Sequence, residues 1–486
     1  MCLAADSNYG NEVSKSSKLI LIAVGGLVAL VVLVAVVVVL VWGANAKPRL
    51  ETAASAALGM EVKVGGRVST HFLPSLHVTL GDVHIRNQGA DVASAGEATL
   101  GVELLSLLLH QEMRLKSIVL ERLRISVERD RNGKLNVETR SQVEGMLPAM
   151  DLANVSVSDA TLLYSDERSR KGFTAEDCNL NASHLRLSPV NSSDVSTNVS
   201  ITAELACRQI RTQDFTVSDV KLSVEGKDGI FNLKPVTMHL FGGNGAGTVQ
   251  ADLSGSVPAF HVYFSLEKFR IEDFFKTLSP RKVGEGSMDF SASLSMRGRT
   301  LNEMKGSAAG EASLHGDNLT VAIGDLDKKL SRYESSQSFN LVDVGAFFFA
   351  GPLGLGVTKG YDFARTFESS AGSTTIRTLV STWRIERGVA QAKDVAMTTP
   401  ENRIALKGAL DFVNQRFDDV NVAIIDAKGC ATVRQKIRGP FARPEVEKPD
   451  VLKGLAGPMR KLLKQAKGLF GGECDVFYAG SVSPPG

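Results

Sequence analysis

Four histidines, His71, His77, His84 and His110, fall close together in the chain. Imidazole is a common metal ligand and the usual acid–base group near neutral pH. His77 and His84 flank a turn expected at Gly81–Asp82, which leaves two readings: a shared metal ion, or solvated surface histidines. The second is favoured, and no CxxC or Cys/His cluster has zinc spacing. The stretch Gly351–Gly360, GPLGLGVTKG, has the glycine content of a phosphate loop. A Walker A loop needs Gly-Lys-Ser/Thr, whereas here the order is Thr358-Lys359-Gly360, and GxGxxG fails as well. It reads as a turn-rich apolar loop. Neither HExxH nor GxSxG occurs. Asn154-Val-Ser and Asn181-Ala-Ser match the glycosylation pattern, which is common by chance. With no nucleophile and base to pair, the chain is expected not to be an enzyme and to need no cofactor or metal.

The cysteines are Cys2, Cys178, Cys207, Cys430 and Cys474. Cys2 precedes a long apolar run, and the other four follow it as two local pairs. An even count beyond such a run is what an oxidising compartment leaves. Four unrelated buried thiols is the other reading. Lys and Arg number 55 against 53 Asp and Glu, so no global basic field points to nucleic acid. There are 45 Gly, only 15 Pro and 6% aromatic residues, a composition that suits many short strands and turns better than helical bundles.

The elements that must position any site begin with Leu19–Trp42, 24 residues without a charge. As a helix it reaches ~36 Å, against a hydrocarbon core of ~30 Å. Lipid offers the backbone no partner, so helix is the available answer. The run is longer than a signal-peptide core, although Ala44 and Ala46 resemble a cleavage site. An uncleaved anchor is expected, with 1–18 a cytoplasmic tail and 19–42 a transmembrane helix. Lys15 and Lys18 precede the run and Lys47 and Arg49 follow it, so charge alone leaves the orientation nearly tied. A short helix, Lys47–Leu58, is expected next, with Pro48 in its first turn.

After that helix the apolar period changes to two. Met60, Val62 and Val64 alternate with charges, then Leu76, Val78 and Leu80, then Val83 and Ile85. The same alternation returns in Val199–Cys207, Phe260–Leu266 and Met288–Met296. A short apolar turn of helix is expected at Leu104–Leu109. Asn132–Gly133 is read as a type I′ hairpin turn, because both residues tolerate positive φ. Val249–Gly255, Gly310–Gly316 and Ile404–Leu410 form a loose repeat, with an irregularity expected at Gly408. One face of each strand is apolar and the other carries Ser, Thr, Asp and Lys, the pattern of an antiparallel sheet dry on one side. About 25 strand candidates at ~4.8 Å each make ~120 Å of sheet, too much for one compact sandwich.

Two stretches break the pattern. Residues 324–368 start as a polar helix-like run and continue as an apolar segment interrupted by Pro352, too short to span a bilayer. Residues 450–470 have Leu452, Leu455, Met459, Leu462, Leu463, Leu469 and Phe470 on one side at helical spacing, with Lys and Arg on the rest. A basic amphipathic helix of this kind either lies on anionic lipid or docks on the sheet with a solvated Lys face.

The stretches LETAASAALGMEVKVGG, FLPSLHVTLGDVHIRN and GEATLGVELLSLLLHQEMRLKSIVLERLRISVERDRNGKLNVE, with Asp130–Gly133 as a hairpin, resemble the AsmA-like family of Gram-negative envelope proteins. MKGSAAGEASLHGDNLTVAIGDLDKKL (Met304–Leu330) and the end of the chain are also similar to that family. The resemblance implies a mainly β fold: an N-terminal transmembrane helix, then an elongated, curled antiparallel β-sheet groove with a few short helices, related to bridge-like lipid transfer proteins. It divides the chain into an N-terminal β domain at 47–150, a β-repeat groove region at 151–320, a C-terminal β region at 321–449, and an amphipathic helix with a disulfide-tied tail at 450–486. It also implies that Cys430 and Cys474 tie the last strand to the tail.

A many-stranded sheet with one apolar face either buries that face on itself or shelters acyl chains. The expected floor residues are Val62, Val64, Val78, Leu80, Phe260, Val262, Phe264, Phe290 and Leu294. The leading expectation is an inner-membrane-anchored periplasmic protein that binds or transfers phospholipid and supports outer-membrane biogenesis. Its N-terminus would be cytoplasmic and its bulk periplasmic. The partners would be acyl chains, the inner membrane through the anchor, and the outer membrane or one of its proteins, with no nucleic acid. The alternative is a non-transporting assembly factor for outer-membrane proteins or lipopolysaccharide, with the apolar face simply its core.

Overall fold

The computed structural model describes residues 46–71, 76–103, 115–137, 150–187, 199–277, 284–322, 324–331, 372–448, 450–451 and 474–485. The apolar run 19–42, the expected helical turn at 104–109 and almost all of the amphipathic stretch 450–470 lie outside these residues. Among the described residues no helix is long and apolar enough to cross a membrane. The chain divides into two units, Met1–His239 with Gly247–Ala259, and Leu240–Ala246 with Phe260–Gly486. The division falls inside the 151–320 span that the sequence reads as one region.

Unit 1 opens with helix α1 (Ala46–Leu58), where the sequence places it. Strands β1 (Glu61–Val64) and β2 (Val68–His71) both pair antiparallel with β3 (Leu76–Asn87). The helix covers this end of the sheet. Leu50 and Ala54 are fully buried against it. The Val62 N–H donates to Ser55 Oγ and the Val64 N–H to Glu51 Oε1, both at 2.8 Å. Edge amides that would otherwise invite another strand are satisfied by the chain's own helix.

The sheet continues through β4 (Ala90–Val102), β5 (Leu115–Glu121) and β6 (Arg124–Arg129), with β4 antiparallel to β3, β5 and β6. Then β7 (Met150–Asp166) pairs parallel with both β5 and β6. The sheet is therefore mixed, which corrects the expected all-antiparallel arrangement. A parallel neighbour needs a crossover of a dozen or more residues, and the chain between Arg129 and Met150 supplies it. Alternation reports burial, not strand direction, so the sequence pattern was blind to this. The turn that starts the crossover also differs from the expected type I′. Only Gly133 has positive φ (86°), and Asp130 Oδ1 accepts the N–H groups of Asn132 and Lys134 at 2.9 and 2.8 Å. An aspartate that caps its own turn makes a left-handed Asn unnecessary.

Antiparallel strands β8 (Lys171–Leu187), β9 (Val199–Thr212) and β10 (Thr216–Lys227) follow. Next come β11 (Ile230–Leu240) and β12 (Gly243–Asp252), whose connecting end belongs to unit 2.

Unit 2 contains β13 (Ala259–Arg270), α2 (Ile271–Phe275), β14 (Gly284–Glu285), β15 (Ser287–Arg297), α3 (Leu301–Ser307), β16 (Ala309–Val321) and α4 (Leu326–Ser331). The antiparallel run β17 (Thr374–Glu386), β18 (Val389–Thr398), β19 (Arg403–Asp411), β20 (Arg416–Ile425) and β21 (Ala431–Pro440) completes it, with short strands β22 (Glu445–Val446) and β23 (Asp450–Val451) on β21. Gly408, at φ 123°, sits in a register shift of the β19–β20 pair, as the sequence suggests. One large core runs through this unit, with Phe269, Phe274, Leu319, Ile376, Trp383, Leu410 and Phe441 all buried.

The strands bend by one repeated device. At Leu80-Gly81-Asp82-Val83 the apolar residues are three apart instead of two, and Asp82 takes φ 53°. The same spacing around a left-handed residue recurs at Asp159, Asp177, Asp219, Lys268, Asn318 and Asp419. At each, the left-handed residue returns the next apolar side chain to the same face, and the neighbouring strand keeps its register across Asp82, Asp177 and Asp219. Aspartate and asparagine suit this conformation because their short side chains tolerate it.

Candidate functional site

The register of unit 1 lines apolar side chains into rows that cross the sheet. One row runs Leu80, Ala98, Leu120, Val157, Leu180, Leu205, Leu222 from β3 to β10. A second runs Val78, Leu100, Ile118, Val155, Ala182, Ala203, Val224. All of these residues share one face, because every second residue of a strand does.

Burial fades along the rows. Leu80 is 1% exposed and Val157 8%, whereas Leu180, Leu205 and Leu222 are only half-buried. The second row runs from a fully buried Val78 through half-buried Val155 and the small, buried Ala182 and Ala203 to a half-buried Val224. At the β3 end α1 lies over the face. Farther along, larger side chains such as Phe231, Leu233 and Met238 on β11 are also half-buried. The Phe231 ring lies over Gly226, where a Cβ would come within 2.4 Å of it. The opposite face of these strands is polar. Arg208 there donates from Nε to Asp177 Oδ2 at 2.5 Å, and the same aspartate beside it holds its guanidinium pKa above the ordinary value. His239 Nδ1 lies 3.1 Å from Asp219 Oδ2.

The expected floor residues separate into two groups. Val62, Val64, Val78 and Leu80 are 0–2% exposed; they belong to a closed core beneath α1 and line no open floor. The reason is the helix: Leu50 and Ala54 fill the space above them. Phe260, Val262, Phe264, Phe290 and Leu294, in unit 2, are half-buried. Of these, Phe264, Phe290 and Leu294 pack against the margin of the large core. Of the half-exposed residues of β8–β10, those in Val199–Cys207 read as an alternating strand, but none is among the expected floor residues. The alternation of β8 and β10 changes phase at Asp177 and Asp219, and reading across those shifts joins Ala175 to Cys178 and Val217 to Val220 on one face.

Cys178 and Cys207 are directly opposed in the β8–β9 register and joined by a disulfide, with Cα atoms 4.0 Å apart. The bond lies on the apolar face beside Val220 and Ala175. Cys430 and Cys474 form the second disulfide, as the resemblance implies. It begins a tail, 474–485, that covers the second face of β18–β20. Tyr478 and Val482 are buried there against Ala396, Ala405, Ala423 and Ile425. Buried Arg403 donates to the carbonyls of Val482 and Asp426 at 3.0 and 2.7 Å and lies over the Tyr478 ring. The Tyr478 hydroxyl donates to Asp394 and accepts the Val482 N–H at 3.1 Å. Burial and the Asp394 carboxylate push the phenol up to about 12.

Of the expected histidine cluster, His71 and His77 oppose each other in the β2–β3 register, while His84 Nε2 lies 3.1 Å from Asp82 Oδ1 on the polar face. No group of His, Cys, Asp and Glu among the described residues is arranged to hold a metal ion.

No curated protein and no solved structure matches the chain. The family model of the AsmA family matches residues 13–215 and 194–394. Those spans take in the α1 end, the mixed sheet and the apolar rows, and together they cover most of the 486 residues. The chain belongs to the AsmA family.

Proposed function

We propose that this chain holds phospholipid acyl chains on the half-exposed apolar face of β8–β11, as a lipid-binding or lipid-transfer module of the cell envelope. The observation that carries the reading is the fading burial along the Leu80-to-Leu222 row: the same face that is a closed core under α1 stays half-open at β8–β10. Burying a methylene is worth ~0.8 kcal/mol, so such a face retains acyl chains without a headgroup site. Family membership and the β-rich architecture agree with an envelope role. In this reading the apolar run 19–42 anchors the chain in the inner membrane, N-terminus inside. The two disulfides, at home in an oxidising compartment, support a location of the bulk of the chain outside the cytoplasm.

Native mass spectrometry of the purified full-length chain, with a photocrosslinker at Leu205 or Leu222, tests this directly. Co-purified phospholipid, with acyl crosslinks from those two positions and none from Lys221 on the polar face, is expected. A folded protein without lipid, whose Leu205 and Leu222 crosslinks go only to protein, would overturn the reading and favour an assembly factor.

A further inference from the structure

Unit 2 has a tip built from three segments: α3, the β17–β18 turn and the β19–β20 turn. They are stitched together at Gly388. Its N–H donates to the Ala308 carbonyl at 3.0 Å, and its carbonyl accepts the Phe412 N–H at 3.1 Å. Its φ is 75°, and a Cβ there would come within 2.3 Å of the Lys305 carbonyl and 2.7 Å of Val413 Cγ2. The three segments therefore move as one surface.

That surface is unusual in two respects. The first is apolar exposure. No side chain of α3 is buried, Leu301 is 54% exposed, and Val413, packed at Gly388 beside the helix end, is 48% exposed. Lone exposed apolar residues are ordinary, but here two large ones stand on one tip, with Met304 half-buried between them in the chain. The second is charge. Every carboxylate on the tip is engaged locally. Glu303 accepts the Arg299 N–H at 2.7 Å, Glu386 pairs with Arg384 at 2.7 Å, and Asp411 caps the turn by accepting from Val413 N, Asn414 N and Asn414 Nδ2 at 2.7–3.0 Å. Lys305 and Arg387 are exposed and form no ion pair among the described residues. Lys305 lies one helical turn from Leu301, on the same side of α3.

We infer that this tip docks on the surface of an anionic lipid bilayer, with Leu301 and Val413 entering the headgroup layer and Lys305 and Arg387 meeting lipid phosphates. Shallow apolar insertion ringed by basic groups is how peripheral elements hold to anionic membranes. The tip's carboxylates keep their charge, but Glu386 is paired with Arg384, and Glu303 and Asp411 are held on local N–H donors. The inference does not depend on acyl chains occupying β8–β11.

The test uses the full-length chain in phosphatidylcholine nanodiscs, mixed with sedimentable vesicles of phosphatidylcholine alone or with added phosphatidylglycerol. Sedimentation with the anionic vesicles, weakened by salt, is expected for the wild type. Lys305→Gln and Arg387→Gln should each weaken it about fivefold, and Leu301→Asp with Val413→Asp should weaken it further. These four residues are exposed, so the variants should keep wild-type circular dichroism, and the two Gln variants alone suffice if the Asp variant misfolds. Equal sedimentation of wild type and both Gln variants, or none with either vesicle, would overturn the inference. Crosslinking at Leu205 or Leu222 is expected to be unchanged in all variants, which separates this outcome from that of the acyl-binding reading.

Discussion

Tyr478 shows how a single side chain fastens an element. It is 7% exposed, its hydroxyl bridges Asp394 and the Val482 amide, and its ring lies under Arg403. A phenol whose folded pKa is about 12, above the ordinary value near 10, is favoured in its neutral form by folding. That stabilisation is complete below about pH 10 and is lost as pH rises through the folded pKa. Chemical unfolding of the full chain, followed by Trp383 fluorescence, should therefore show stability falling between about pH 10 and 12. Tyr478→Phe should remove that fall while costing about 1 kcal/mol at neutral pH. A wild-type alkaline profile persisting in Tyr478→Phe would mean that another group titrates.

The strand with its left-handed bend is the recurring element. The bend matters because it curls a long strand while keeping its apolar residues on one face. Left-handed φ costs most residues roughly 1–2 kcal/mol, and Gly escapes the cost. Asp159 is a clean place to measure this, since its side chain is exposed and its φ is 53°. Asp159→Gly should leave the stability of unit 1 nearly unchanged, and Asp159→Val should lower it by about 1–3 kcal/mol, read as a shift in denaturation midpoint. Equal losses for the two substitutions would show that the side chain, not the backbone, sets the cost. This device was partly legible. The jump from Leu80 to Val83 stands in the alternation, but only the coordinates show that Asp82 is left-handed and that other strand positions repeat it. The parallel pairing of β7 was not legible at all, because the hydrophobic pattern of a strand is the same whichever way its neighbour runs.

For the whole molecule, the two disulfides and the two faces of the sheet decide what the chain can do. Cys430–Cys474 closes 44 residues, a loop whose cross-link is worth about 4 kcal/mol in the chain-entropy description. Replacing both cysteines by serine should lower the stability of unit 2 by up to that amount and loosen the tail, with Val482 and Ser481 amides exchanging faster. Alkylation of the wild type without reductant should label neither Cys178, Cys207, Cys430 nor Cys474. Labelling at Cys430 or Cys474 would show that the tail is held without the disulfide.

The sequence by itself determined the mainly β architecture, the helix at Ala46–Leu58, the family, and which residues of each strand are apolar, because alternation and turn chemistry are local properties of the chain. It could not tell a covered apolar face from an open one. Val78 and Leu205 read alike, each an apolar residue in an alternating strand, yet Val78 is fully buried and Leu205 is not. The difference is made by what packs above them: Leu50 and Ala54 of α1 reach the first end of the rows. Only the tertiary structure decided where the apolar face closes into a core and where it stays available, because burial depends on residues distant in sequence brought over the sheet.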